Sequence, residues 1–461
     1  MTSPDPRTRA RRDVPFRVPS WDDPVVARAT GLIGGPTGRY AVIGARGLVA
    51  SALTLVLLGA AVMALAVWQK GHCLMKGWAT PDQFWRACYS DLPVVHVSSP
   101  LAQGSLPWTG DAPSTQPPLP GVVMWLIAQV SPQTGQGIAA QQWVFGLWAL
   151  AAVLLLAAAV VATVALQPGR PWQAAHLAVS PVLVTLALVS VDLLGVALTM
   201  LGLWSWRRGR PWSAGLLLGL AVLVRPFPLI FLAAVVLVAW RRRDLLRIGQ
   251  LLVGVVLGAL LVLVPLIAVE PQSLFAARQW LGQSTGYGAL QMIPQLLGGG
   301  IPAPLPTWIA LAGWLLALVL GVVVARRWHQ AGVVQVAAVM MGVVALTAAS
   351  LSVQSGLWLL PLLALSTRPW WEHLVWAFGE TLHFVMTWLH IAFASDPGRG
   401  LPPETYALVV VLRMALWSWL LWRIANSTED ARPSAPVVDQ PVGADEPQLD
   451  ATDEVLAGGE R

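Results

Sequence analysis

Apolar runs long enough to fill a bilayer core, about 20 residues each, follow one another from Gly47 to Ala425 with short polar breaks between most of them. In lipid every backbone N–H and C=O must find its partner within the segment, so runs of this kind read as helices. The expected fold class is all-α, a polytopic transmembrane helix bundle of about 12 spans. They fall near 47–68, 143–166, 172–189, 190–206, 212–225, 226–240, 247–269, 304–325, 331–349, 352–366, 374–394 and 404–425. Composition agrees, with 11% charged and 56% apolar residues, where an ordinary soluble domain carries about 25% charged residues. So few charges cannot cover the surface of a soluble chain of 461 residues. A cytosolic enzyme, a nucleic-acid binder and a disordered scaffold are excluded on that count.

The ends differ from the middle. Residues 1–46 are Arg- and Pro-rich, with Arg7, Arg9, Arg11 and Arg12 in one short run. They are too long and polar for a signal-peptide n-region, and no small-residue cleavage site follows the first apolar stretch. A disordered cytoplasmic arm is expected. The tail 426–461 holds nine acids against Arg432 and Arg461 and is expected to be disordered and cytoplasmic too. Between them, 47–425 is the membrane domain. Basic clusters orient it by the positive-inside rule: Arg207, Arg208 and Arg210; Arg241, Arg242, Arg243 and Arg247; Arg326 and Arg327; Arg368 with His373. The chain is thus expected to be a multi-pass protein of the plasma membrane with both termini inside.

Parity settles one short apolar stretch. A crossing at 119–130 would put the Arg207 cluster outside, and the stretch is too short to span. It is expected to be a juxtamembrane helix within a single large external loop, 69–142. The pairs 172–206 and 212–240 read as helical hairpins with short arms. Their external tips carry Asp192 and Arg225–Pro226–Phe227–Pro228. Irregular backbone at that depth is tolerated only around a cavity.

Both cysteines, Cys73 and Cys88, fall in the external loop, fifteen positions apart. In an oxidising compartment that placement points to a disulfide, the bland alternative being two free thiols buried as small hydrophobes. A zinc site lacks ligands, since no clustered His pair accompanies the two thiolates. Asp91 follows Cys88 closely, in Tyr89–Ser90–Asp91, so a bridge would hold it near the mouth of the first span.

Ionisable groups at membrane depth are costly and each raises a functional question. Asp192 and Glu380 are the acids in or near the apolar slab, with Asp91 at its outer edge; Arg225, Arg413, His176, His383 and His390 are the candidate basic partners. Asp244 and Glu372, beside inside basic clusters, read as solvated loop charges. Arg225 needs an anion, either Asp192 in a structural ion pair or a ligand phosphate held bidentately. Glu380 and His383 share a helix face to which His390 returns closely, either as glue between helices or a pore-facing cluster, or as a metal site or second acid–base group. The loop 270–303, with Gln279–Trp280 and Ser284–Thr285–Gly286–Tyr287–Gly288, could close over a substrate or simply connect. Gln354 and Trp358, at the outer end of a span, could hydrogen-bond or stack on a sugar, though an interfacial Trp is common.

Cys88–Tyr89–Ser90–Asp91 after the first span, then Pro117–Pro118–Leu119 entering a juxtamembrane helix, resembles the GT-C class of glycosyltransferases. Val191–Asp192–Leu193, the run Trp206–Arg207–Arg208–Gly209–Arg210–Pro211, Arg225–Pro226–Phe227–Pro228 and the stretch from Gln354 to Pro361 are similar, more narrowly, to glycosyltransferase family 87 and related actinobacterial multispanning proteins. Such relatives commonly read Asn–Trp–Asp where this chain has Ser190–Val191–Asp192, and Lys in place of Arg225. The resemblance implies transfer of a hexose, mannose favoured, from a polyprenyl-phosphate sugar to a lipid or cell-envelope glycan on the external face. It implies Asp91 as general base and Arg225 on the donor phosphate; Tyr89, Asp192, Gln354, Trp358, Glu380 and His383 are the supporting or substrate-binding candidates. Single displacement would invert the anomeric centre. The donor is a substrate, no cofactor is implied, and no Asp–x–Asp pair is present to hold a metal.

A transporter or flippase of a lipid-linked sugar is the alternative, with Asp192, Arg225 and Glu380 lining the route. It predicts paired broken helices and a mid-membrane site, and no internal repeat is visible. A carboxylate on the outer loop favours catalysis. A third reading, an envelope scaffold, would make every one of these charges structural.

Overall fold

The structure, a computed structural model, describes residues 45–110, 113–132, 134–274 and 285–427. Among them every regular element is a helix. The expected arm and tail lie outside these residues but for their inner edges, as do Gln279, Trp280 and Ser284. The helices of eight residues or more are α1 (Ala45–Gln69), α2 (Asp91–Ser98), α3 (Pro118–Val130), α4 (Ile138–Leu166), α5 (Asp192–Arg207), α6 (Pro211–Val222), α7 (Pro228–Arg241), α8 (Leu245–Val269), α9 (Leu305–Arg327), α10 (Val333–Thr347), α11 (Trp370–Phe393) and α12 (Pro403–Ala425). Five of them, α1 from Gly47 onward, α4, α8, α9 and α12, are long and apolar enough to cross a membrane by length and composition. At 24 residues α11 is as long, but it carries Glu372, Glu380, His373, His383 and His390.

Two of the expected spans are not continuous helices. The stretch 172–189 is divided among a 3-10 turn, Pro171–Ala174, and the short helices Ala175–Ala178 and Pro181–Leu186. Pro181 has no N–H to give to a preceding turn and its ring clashes with that turn's carbonyl, so a helix cannot run through it. The stretch 352–366 is a 3-10 turn, Val353–Leu359, followed by Leu360–Leu365. These broken pieces pack against each other and are largely buried. Their interior position agrees with the rule that irregular backbone in lipid must be enclosed by protein.

Helices α6 and α8 meet backbone to backbone through Gly215 and Gly219 on one side and Gly254 and Gly258 on the other. A Cβ on Gly215 would stand 2.0 Å from the Leu251 carbonyl oxygen, and one on Gly258 2.4 Å from that of Leu216. Small residues four apart permit such an approach, and dispersion between backbones then holds the pair.

Glu372 corrects an expectation. It is fully buried rather than solvated: Arg368 donates to it from Nε at 2.7 Å and from Nη2 at 2.8 Å, and Arg423 from Nε at 2.9 Å. A buried carboxylate needs such partners. His373, placed by sequence with Arg368 in a loop, is buried as well, 2.7 Å from His176 and 2.8 Å from the Ser180 hydroxyl.

The segment 69–142 is folded rather than open. It holds the short helices Gly71–Lys76 and Asp82–Trp85, then α2, a 3-10 turn and α3, the helix expected over 119–130, with prolines in its first turn. Cys73 and Cys88 form a disulfide, and both are buried. Replacing both with Ser is expected to lower stability by about 3 kcal/mol, the entropy of opening a loop of this length. Thermal unfolding in detergent, with and without reductant, measures it; identical midpoints in wild type and the double variant would refute it.

Candidate active site

Four hydrogen bonds fix the chain around Asp91. Gln69 Nε2 donates to the Ala87 carbonyl at 2.7 Å and Trp78 Nε1 to that of Cys88 at 3.0 Å. The Ser90 hydroxyl donates to the Leu188 carbonyl at 2.7 Å, and the Asp91 N–H to that of Val189 at 2.6 Å. The last two tie this segment to the residues just before Asp192, at the start of α5. The Tyr89 ring lies against Trp388 (centroids 4.7 Å apart) and Phe84 (5.8 Å), a packed wall beside the carboxyl. Burial pushes Asp91 up to about 6, against the opposing pull of Arg225 and of the Tyr89 phenol. The Tyr89 hydroxyl is itself driven well above its usual range, by burial first and then by Asp91.

Arg225 sits in the turn between α6 and α7. Pro226 and Pro228 stop α6 and start α7, so the guanidinium is presented where the backbone reverses. Its Nε donates to Asp192 Oδ1 at 2.9 Å and its Nη2 to Oδ2 at 3.2 Å, a two-point contact. Asp192 also accepts from Trp358 Nε1 at 3.1 Å and from the Ser190 hydroxyl. Asp192 is thus one of the two expected partners of Arg225, and it occupies two of the five donors of the guanidinium.

Asp91 and Arg225 line one cavity of about 750 Å³. Tyr89, Thr115, Gln116 and Gln354 add polar atoms to the same wall, and Thr285–Gly286–Tyr287 close another side. Apolar residues complete the lining, among them Phe227 from the α6–α7 turn, Leu311 and Trp314 from α9, and Val344 from α10. The volume fits a ligand of cofactor size, and a lining of both polar and apolar residues suits an amphipathic one.

Compared with known families, the chain matches the model of glycosyltransferase family 87 over residues 115–354, half of its length. The chain belongs to glycosyltransferase family 87. No curated protein and no solved structure matches it. With five helices fit to cross a bilayer, this family-87 chain is a membrane glycosyltransferase. The match includes Thr115, Gln116, Asp192, Arg225 and Gln354, and it ends before α11. Asp91 and the disulfide lie ahead of its start, so the match assigns them no role.

Not every residue expected to support the site reaches the cavity of this family-87 protein. Asp192 and Trp358 stand behind Arg225, Trp358 being fully buried with its N–H on Asp192. Glu380 is turned to Arg413, whose Nε and Nη2 donate to it at 2.9 and 3.0 Å, and to Trp417. Arg413 Nη2 also donates to the Val353 carbonyl at 3.2 Å, so this buried pair braces the strip that carries Gln354. His383 is buried against the Tyr406 hydroxyl at 3.2 Å, and that hydroxyl donates to the Tyr287 carbonyl. These groups are bonded to protein partners and are not among the residues lining the cavity.

Sequence reading passed over Phe84, Thr115, Gln116 and Trp388, which line the cavity, and the fully buried Lys70. An aromatic residue in an apolar helix gives no periodic signal of its own. Gln116, next to a proline run, had only its neighbourhood to mark it.

Proposed function

We propose that this protein transfers a hexose, mannose favoured, from a polyprenyl-phosphate sugar to a hydroxyl of a lipid or cell-envelope glycan, at the outer face of the plasma membrane, with both termini cytoplasmic. The observation that carries the reading is the meeting of Asp91 and Arg225 in one cavity with an apolar flank. A polyprenyl phosphate leaves readily, so little acid assistance is needed. What the reaction requires is a base at the acceptor oxygen and a cation for the departing phosphate.

In this mechanism Asp91 takes the proton of the acceptor hydroxyl as its oxygen bonds to the anomeric carbon. The anomeric C–O bond to phosphate breaks with its electron pair going to the phosphate, where Arg225 stabilises the charge. One displacement inverts the anomeric centre. Asp192, held by Trp358 and Ser190, orients the guanidinium. The apolar flank from Phe227 to Val344 suits the first units of the polyprenyl chain.

Membranes containing the protein, incubated with a panel of radiolabelled polyprenyl-phosphate sugars and extracted for lipid and glycan, are expected to show label transferred from one donor, with mannose first. No transfer from any member of the panel, while the protein is present and folded, would sink the reading.

A further inference from the structure

Lys70 is the residue after α1, and it is fully buried. Its Nζ has no hydrogen-bond partner among the described residues, and it sits 4.7 Å from the centroid of the Phe384 ring on α11. Phe384 in turn meets Trp388 edge-on at 5.8 Å, and Trp388 walls the cavity with Tyr89. A ring face stabilises an ammonium, yet far less than water does. A lysine kept there needs a reason.

The disulfide supplies the geometry. Lys70 precedes Cys73 by three positions and Asp91 follows Cys88 by three. Closing the bridge, with Gln69 bonded to the Ala87 carbonyl at 2.7 Å, draws the end of α1 against the segment that carries Asp91. We propose that Lys70 is a positioning residue for Asp91: its buried ammonium, brought in by the Cys73–Cys88 bridge, favours the ionised carboxylate and so lowers the pH above which the base can act. The proposal rests on reading Asp91 as the base.

Other charges around the pair are few. Burial raises Asp91 most; Arg225 from the α6–α7 turn and the Tyr89 phenol pull it down, Asp192 at the start of α5 raises it, and Lys70 adds a smaller downward pull. Helix α4, packed on α1 and α2, has no ionisable residue. The ionisable groups of α11 are engaged elsewhere, Glu372 with Arg368 and Arg423, Glu380 with Arg413, His373 with His176, His383 with Tyr406, and His390 with the Leu401 carbonyl. Burial pulls Lys70 down to about 7, and Asp91 opposes that fall. Each charge therefore steadies the other.

Lys70 and Lys76 are the only lysines in the chain, so lysine labelled with 13C at Cε gives two resonances in the full-length protein. Lys76→Arg assigns them. Asp91→Asn is expected to lower the Lys70 titration midpoint by about one pH unit, the effect of losing a close opposite charge. A midpoint that does not move overturns the coupling. Its functional side is read from kcat/KM against pH, with radiolabelled polyprenyl-phosphate mannose as donor. Lys70→Met is expected to move the acidic limb up by about one unit, while Lys70→Arg leaves it in place. Coincident limbs in wild type and Lys70→Met overturn the proposal, and a Lys70→Met protein that does not fold leaves the resonance titration to decide. Full transfer by Asp91→Asn would instead remove the base assignment, whatever Lys70 does.

Discussion

Asp91→Asn is expected to lower kcat/KM by roughly 10²–10⁴-fold, the usual worth of a positioned general base. The loss should fall on kcat, with donor affinity near wild type, because the carboxylate faces the acceptor oxygen rather than the phosphate. Folding should survive. The Asp91 N–H still reaches the Val189 carbonyl, and the Ser90 hydroxyl that of Leu188. A pH profile sharpens the test. The carboxyl is held up to about 6, mainly by burial, and only its ionised form accepts a proton. The wild-type rate is therefore expected to be flat above that value and to fall about tenfold per pH unit below it. Residual activity in Asp91→Asn should lack that limb. Initial rates with a radiolabelled donor from pH 4.5 to 8 measure both, and a variant with wild-type rate and profile would strike Asp91 from the mechanism.

Hydropathy and charge made the helical class legible, because each long apolar run carries its own evidence. The same signal failed at 172–189 and 352–366. There the composition is that of a span, and only Pro181 and the polar Ser352–Gln354–Ser355 hinted that the backbone would break. Hydropathy averages over such a break. Charge accounting worked where a pairing was forced by scarcity, as in Asp192 with Arg225, while Glu380, grouped by sequence with His383, pairs with Arg413 instead. It misled at Glu372, since Arg368 beside it suggested solvent and only the fold brings Arg423 from the far end of α12. The candidate site was half visible. Arg225 stood out as a charge needing an anion and Asp91 by its place after Cys88, while Trp388 looked like any aromatic in lipid and Phe84 like an ordinary loop residue. Lys70 was hidden by its place at a helix end, where a lysine ordinarily reaches water.

Arg225 has two explanations, as the counter-ion of Asp192 and as the holder of the donor phosphate, and a double-mutant cycle separates them. Arg225→Met alone is expected to destabilise the protein by about 3–5 kcal/mol, because it leaves Asp192 buried without its cation. Loss of activity in that variant would therefore carry no information about phosphate. Asp192→Asn with Arg225→Met removes both charges and keeps an amide to accept from Trp358, whose N–H otherwise goes to Asp192 at 3.1 Å. That pair should recover most of the lost stability. If the guanidinium serves only the ion pair, transfer should recover with it. If it stabilises the departing phosphate, the double variant should fold yet remain roughly 10²–10³-fold slower, the cost of removing one preorganised donor of this kind. The deficit should appear in donor binding, measured with labelled polyprenyl-phosphate mannose, more than in the response to acceptor. Thermal unfolding and transfer rates of the four proteins in the cycle give the answer. Full activity in the folded double variant would return Arg225 to a purely architectural role, and with it the cation at the centre of the proposed chemistry.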